Sequence, residues 1–469
     1  MLITKSRYLA GLESQALLWR TVYKPESIPE PDETLKSRFA TGKEAEELVK
    51  EIYEGLDLSK LPFKENLEAT KDAINKKTIY EAGILKDNLY ARIDILKPGD
   101  GLELIEIKSS TKVKNIYLQD IAFQTYVLKK AGIEIKKASL MIIDNTYVRK
   151  EELEVEKMFK KVDVTEDIKS MQEDVEKNIN IMFKTLKSEE QPPFNPEDIP
   201  KSEYGNVLID EFLQNLPENN VFEFAGIHKK KALELYKQKI ILMKDTPDFQ
   251  LTDKQLIQKE NEEYINKEKI KKFLDKLKGN LNYIDFETFQ TAIPLFKNTK
   301  PYQQIPFQYS LHVNNKHKEF LYEGYEDPRL AFIQSLKKDL EPGPIIAFNT
   351  SFEKKIMKDL ARDFPEEANF LNSTLERFID LAEPFKKFDY YNKKQKGSYS
   401  LKAILPLFSD LNYEELEISD GEKAGRTFYE MTYKNKKQNP ETKKELLKYC
   451  ELDTYAMTLI HEKLKKITR

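Results

Sequence analysis

Residues 282–288 (Asn-Tyr-Ile-Asp-Phe-Glu-Thr) place two carboxylates, Asp285 and Glu287, one residue apart inside an apolar run. The tyrosine, isoleucine and phenylalanine favour a strand, on which alternate side chains share a face. Asp285 and Glu287 therefore point the same way, about 7 Å apart. Burying two like charges costs several kcal/mol unless a cation compensates them. A fold that holds this strand centrally must either turn that face to water, as a plain solvated strand would, or use the pair to share divalent metal ions. In the second case the missing ligands come from elsewhere in the chain.

From residue 281 onward the pattern is mixed α/β. Strands are expected over 281–286 and 344–349, with a hairpin of 304–313 and 318–322 around Asn314-Asn315. Helices are expected over 352–361, 366–378, 401–407 and 441–466. Glu353 stands just after the 344–349 strand, at a helix start. Tyr449 and Asp453 are four residues apart on the last helix and share a face. Asp285, Glu287, Glu353 and Asp453 are expected to converge. Four carboxylates without a cation repel one another; two Mg²⁺ or Mn²⁺ ions remove the repulsion and create a two-metal phosphoryl-transfer site. Tyr449 would position water there, and Asp380 would lie behind the ligands or on the substrate side.

In the amino-terminal part a helix is expected over 44–53, after Thr41-Gly42. Strands are expected over 78–85, 88–96, 102–108 and 138–144, a helix over 115–130, and further helix over 151–187. A hairpin closing at Gly99 brings Asp94 beside Glu106 and Lys108, which share a face of the next strand. Two acids bind a metal, the Ile107 carbonyl offers a further ligand, and a lysine orients and helps deprotonate the attacking water. The same three residues also fit an ordinary surface Glu–Lys pair.

The proline-rich stretch 191–196, followed by Pro200, marks a boundary, giving domains 1–190, a helical connector 191–279, and 280–469. The lysine clusters at 229–231 and 267–278 read as solvated helix faces balanced by glutamates. Net charge is −3, so any phosphate-binding surface is a local patch. Cys450 is the only cysteine, which excludes disulfides, a cysteine-built zinc site and a four-cysteine iron–sulfur cluster. No apolar run approaches the ~20 residues of a membrane span, and the first residues carry no secretory signal pattern; a cytoplasmic protein is expected.

Asp94, then Glu106-Ile107-Lys108-Ser109-Ser110, then the helix Asp120 to Tyr126 resemble the PD-(D/E)XK nuclease superfamily, in its RecB-like and CRISPR-associated branch. The resemblance implies magnesium- or manganese-dependent DNA cleavage with one or two ions. It implies that Glu46, in Gly42-Lys-Glu-Ala-Glu46, takes the place of a histidine ligand. It also implies that Gln124 and Tyr126 lie near the substrate, although Ala122 stands where that branch carries glutamine. Asp285-x-Glu287, Asn349-x-x-Phe352-Glu353 and Tyr449-x-x-x-Asp453 resemble, in that order, the DnaQ-type exonucleases of the ribonuclease-H-like fold, in the tyrosine-bearing DEDD subclass. That likeness implies two-metal 3′–5′ removal of nucleotides, with Asn349 near the site and Glu353 replacing an aspartate. The whole chain resembles an uncharacterised family that fuses these two modules, through 285–288, 292–294, 301–312, 349–353 and 449–453. The expectation is a multidomain α/β, metal-dependent nuclease acting on single-stranded DNA or RNA, with no membrane partner. The rival is a nucleic-acid-binding or partner-docking protein with one or both nuclease domains inactive.

Overall fold

The computed structural model describes residues 1–196 and 207–469; Pro200 of the expected boundary lies outside the described residues. The chain is α/β, with mixed sheets and many helices, and divides into two compact units. Unit 1 comprises Met1–Asn215 and Thr291–Gln303; unit 2 comprises Leu216–Gln290 and Gln304–Arg469. No described helix is long and apolar enough to cross a membrane.

Unit 1 is built on a mixed sheet of β1 (Ile3–Thr4), β2 (Leu56–Asp57), β3 (Ile79–Lys86), β4 (Leu89–Lys97), β5 (Leu102–Lys108), β6 (Ile135–Ile143) and β7 (Phe159–Asp163). The order is β2-β3-β4-β5-β6-β7, with β1 added in parallel to β4. The β3–β4 turn uses Asp87 and Asn88 at φ +49° and +60°, the left-handed geometry that tight hairpins need. On β4 the alternation Leu89, Ala91, Ile93, Ile95 is buried. β4 and β5 are paired only from Ile95–Ile105 to Lys97–Glu103, whereas β5 continues against β6 to Lys108–Ile142. The two strands thus fork at Asp94, and α1 (Lys5–Glu13) starts directly after β1.

Two expectations for this unit change. The helix expected over 44–53 is α2 (Glu33–Val49). Its cap is Asp32, which accepts the Leu35 N–H at 2.7 Å. Gly42 lies inside it, and a mid-helix glycine costs about 1 kcal/mol, enough to make the pattern seem to begin after it. The helix expected across 151–187 is interrupted by β7, which pairs antiparallel with β6. Lys160 and Lys161 are exposed on β7 while Phe159 is buried, so charge conceals the strand. α3 (Asn115–Lys130) and α4 (Gln172–Thr185) complete the core with Phe123, Val127, Val175 and Ile179. Residues 291–303 are integral to this unit. Ala292 joins its core, Arg149 donates to the Pro294 carbonyl at 2.7 Å and exchanges backbone hydrogen bonds with Asn298 and Thr299, and the Tyr302 hydroxyl donates to the Ser109 carbonyl.

In unit 2, β8 (Glu263–Ile265) precedes the main sheet, which consists of β9 (Asn282–Phe289), β10 (Ile305–Val313), β11 (Lys316–Leu321), β12 (Ile345–Ala347) and β13 (Phe378–Asp380); β14 (Tyr390–Asn392) returns to pair with β8. The order is β11-β10-β9-β12-β13. It is antiparallel on the β10 side of β9 and parallel on the β12 side. The β10–β11 turn again uses left-handed asparagines, Asn314 and Asn315. β9 is therefore the central strand.

α5 (Ser351–Asp363) follows β12, and α6 (Gly421–Tyr429) and α7 (Pro440–Thr468) flank β9. α7 opens with Pro440 at its first position and Asn439 as cap, a favoured start. It is tied to β10 where Gln308 donates to the Leu446 carbonyl at 2.8 Å and where Ser310 and His312 meet the Thr454 hydroxyl at 2.6 and 2.8 Å. α6 lies so close to β9 that a Cβ on Gly425 would stand 2.3 Å from the Thr288 carbonyl oxygen. Gly425→Ala should therefore push the helix outward, costing about 1–3 kcal/mol, as overpacking does. Thermal denaturation should show a midpoint lower by several degrees, and an unchanged midpoint would mean the helix shifts freely.

Candidate functional site

In unit 2, β9, α5 and α7 bring four carboxylates together. Asp285 and Glu287 stand on one face of β9, as period-two geometry requires. Glu353 sits in the first turn of α5, and Asp453 lies on α7. Glu287, Glu353 and Asp453 are 4%, 3% and 8% exposed. Asp285 feels the charges of Asp453, Glu287 and Glu353, and Glu287 those of Asp453 and Glu353. Among the described residues, no lysine or arginine forms an ion pair with any of the four. One ligand atom from each of Asp285, Glu287 and Cys450 lies within 4.8 Å of the other two.

The electrostatics follow from burial with only distant compensation, from Lys402 toward Glu287 and Asp453 and from Lys386 toward Glu353. Burial first, and then the neighbouring carboxylates, push Asp285 and Glu287 well above the usual carboxylate range. Burial lifts Glu353 to about 8, and its Oε2 has no hydrogen-bond partner. Burial lifts Asp453 to about 6 against the pull of a Tyr413 hydrogen bond, whose hydroxyl lies 2.5 Å from Asp453 Oδ1. Tyr449 is buried beside Tyr413, ring centroids 6.2 Å apart. Burial and then Asp453, Glu287 and Asp285 hold its hydroxyl protonated.

A stability signature follows. These carboxyls have folded-state values above their unfolded ones, so the folded chain binds more protons above about pH 4, in the case of Glu353 up to about pH 8. Stability contributed this way is complete below the unfolded value and is lost as pH rises, at about 1.4 kcal/mol per pH unit for each group in its window. In chelator, the melting temperature should fall from pH 5 to pH 8. A divalent ion held by the four acids should reverse this, and more strongly at pH 8 than at pH 5.

Asn349 and Asp380 form an adjoining group. Asn349 occupies the β12–α5 junction at φ +73°; asparagine tolerates this geometry. Its N–H donates to Asp380 Oδ1 at 2.8 Å, and the Lys386 ammonium donates to Asn349 Oδ1 at 2.8 Å and to Asp380 Oδ2 at 2.7 Å. Asp380 and Lys386 act on Glu353 with opposite signs. Tyr413 and Cys450 have no forewarning in the sequence pattern: Tyr413 lies in an aperiodic stretch, and Cys450 resembles any buried helical cysteine.

Unit 1 holds a second, differently balanced cluster in the β4–β5 fork. Asp94 accepts the Ile107 N–H at 2.8 Å, so Ile107 meets the site through its amide. Glu106 is fully buried. Lys108 Nζ lies 2.6 Å from Glu106 Oε1 and 2.9 Å from Asp120 Oδ2, and Lys5 Nζ lies 2.8 and 3.4 Å from the same two atoms. Gln124 Nε2 donates to Glu106 at 2.7 Å and to Asp120 at 2.8 Å. Burial would raise Glu106, but Lys108 and Lys5 outweigh it and hold the carboxyl well below its usual range. Asp94 is raised by burial and then by Glu106. Glu46 on α2 is raised by burial and then by Glu81 and Glu106, which places it within electrostatic reach. Tyr126 is turned elsewhere: its hydroxyl donates to Glu176 at 2.9 Å. Lys5, which directly follows a two-residue strand, completes the cluster beyond the residues singled out from the sequence, and Asp120, named there only as part of the helix, joins it.

A family model described as a domain of unknown function (DUF2779) matches residues 282–400. That stretch carries Asp285, Glu287, Asn349, Glu353 and Asp380 and stops short of Tyr449 and Asp453. The chain is similar to an uncharacterized protein of Mycoplasma pneumoniae (MG366 homolog), 27% identical over 220 residues, covering 41% of this chain and 33% of the relative. It is similar to MG366 of Mycoplasma genitalium, 26% identical over 219 residues with the same coverage. It is also similar to UU173 of Ureaplasma parvum, 27% identical over 225 residues, covering 41% and 32%. The chain spans about a third of the length of these curated relatives. No solved structure matches it.

Proposed function

We propose that the chain is a divalent-metal-dependent nuclease. In this reading unit 2 is a DnaQ-like, ribonuclease-H-like 3′–5′ exonuclease acting on single-stranded DNA or RNA, and unit 1 is a second site of PD-(D/E)XK type. The observation that carries the reading is the convergence in unit 2 of four carboxylates, three buried and Asp285 half-buried, without a paired cation, a costly arrangement with no benefit to a protein that only grips phosphates. Asp285, Glu287, Glu353 and Asp453 would hold two Mg²⁺ or Mn²⁺ ions, which when bound supply an activated water and stabilise the leaving oxygen. The Tyr413 hydroxyl fixes the orientation of Asp453. The Tyr449 hydroxyl, kept protonated, donates a hydrogen bond to water or a phosphate oxygen. Asn349, Asp380 and Lys386 set the start of α5 and so the reach of Glu353. In unit 1, Asp94, Glu106 and, at longer range, Glu46 would serve one or two ions, with Lys108 orienting water.

A second reading treats the unit 1 cluster as a nucleic-acid grip. It is favoured by Lys5 and Lys108, which already neutralise Glu106 and Asp120. The test is to incubate 3′- and 5′-labelled single-stranded DNA and RNA with Mg²⁺, Mn²⁺ or chelator. Stepwise shortening from the 3′ end with metal is expected, and none in chelator. Activity lost in Asp285→Ala and kept in Asp94→Ala would leave unit 1 as the grip. Absence of cleavage with every metal would overturn the enzyme reading.

A further inference from the structure

Cys450 is the only cysteine in the chain and is fully buried. Its Sγ lies 3.7 Å from Asp285 Oδ2 and 3.8 Å from the Asp285 carbonyl oxygen, the long limit of an S–H···O contact. With one oxygen each from Asp285 and Glu287 it forms a triad whose atoms are all within 4.8 Å of one another. Glu287 is only 4% exposed, and among the described residues its carboxylate has no hydrogen-bond or ion-pair partner. The triad is therefore a thiol and two acids, one of them buried and without a protein hydrogen-bond partner, sharing the same small volume. Zinc–sulfur bonds of ~2.3 Å and zinc–oxygen bonds of ~2.0–2.2 Å put tetrahedral ligand atoms roughly 3.5 Å apart, so side-chain movements of about 1 Å close the three around one ion.

We propose that Cys450 is a third ligand at the Asp285–Glu287 position and that this site takes a thiophilic divalent cation, zinc or cadmium, through two carboxylate oxygens and one sulfur. The proposal rests on the metal-site reading above and adds a donor that reading does not contain. Hard cations take oxygen and leave the thiol aside, whereas borderline and soft ones recruit it. Ligation breaks the S–H bond and forms a metal–sulfur bond, releasing the thiol proton and any proton held by the two carboxyls to solvent, with no oxidant or reductant. Zinc should consequently compete with the magnesium or manganese that supports hydrolysis, and be held in a closed, inhibitory coordination.

The test is titration of the full chain with Cd²⁺ while sulfur-to-metal charge-transfer absorption in the ultraviolet is recorded, with Mn²⁺ uptake followed in parallel by calorimetry. A single cysteine means that any such band belongs to Cys450, so the wild-type measurement decides without a variant. The expected result is a band that saturates at one equivalent. It should be absent in Cys450→Ser and Cys450→Ala, with Cd²⁺ affinity at least about tenfold weaker, while those variants still take up Mn²⁺. Mn²⁺ uptake with no cadmium band would overturn thiol ligation and leave the metal-site reading standing. Neither ion binding would bring down both. A band that persists unchanged in Asp285→Ala would place the cadmium on sulfur alone and also overturn the shared site.

Discussion

Asp285→Ala should lower metal-dependent hydrolysis by at least about a thousandfold, some 4 kcal/mol of transition-state stabilisation, and should not destabilise the metal-free protein. Asp285 shares its volume with Glu287 and Asp453 and with a buried thiol, and no cation is paired with it. Deleting it removes an ion ligand from any loaded site, a large kinetic loss. In the empty protein the same deletion relieves repulsion among buried carboxylates. Removing one of several mutually repelling carboxylates that no cation compensates should be neutral or stabilising. Melting in chelator at pH 8, compared with initial rates in Mn²⁺, tests both halves. A variant that melts lower in chelator would show that Asp285 is held by structural contacts, and one that retains activity would remove β9 from the chemistry.

Lys108→Ala should have the opposite effect on stability, a loss of about 3–5 kcal/mol at neutral pH, because it breaks a buried, satisfied ion cluster. Glu106 and Asp120 would keep only Lys5, at 2.8 and 3.4 Å, and Gln124. The loss should shrink as pH falls. Asp94 and Asp120 are raised by burial and then by Glu106, so they take up protons first and relieve the unbalanced charge. Trp19, the chain's only tryptophan, belongs to unit 1 and donates to the Ser188 carbonyl at 3.0 Å. Its fluorescence during urea unfolding therefore reports on this unit. A midpoint unchanged at pH 7.5 would mean that Lys5 alone balances the cluster.

What the sequence revealed about these sites tracks the periods of secondary structure. Asp285 with Glu287, and Tyr449 with Asp453, are spaced at two and four residues on elements whose apolar positions are regular, so their shared faces could be read directly. The pairing of Asp94 with Glu106 and Lys108 follows from the Pro98-Gly99 turn. Lys5 could not be read, because Ile3–Thr4 is too short to show a pattern and its partner β4 is far along the chain. Tyr413 belongs to a stretch whose placement is settled by tertiary packing. β7 hides behind its lysines, and α2 behind Gly42. The same local regularity that exposes a face says nothing of which distant side chain will be folded onto it.

Unit 1 includes a segment that the ribosome delivers late. Its first stretch ends at Asn215, yet Ala292 of its core and the Tyr302 hydroxyl at Ser109 arrive only with residues 291–303. At about 5–20 residues per second, the nascent unit 1 waits on the order of ten seconds for that piece. During this interval Arg149 lacks its Pro294 and Thr299 partners, and the apolar surface beneath Ala292 is open. The time at which unit 1 is finished is therefore set by synthesis of residues 291–303, which emerge directly after the strand that bears Asp285 and Glu287.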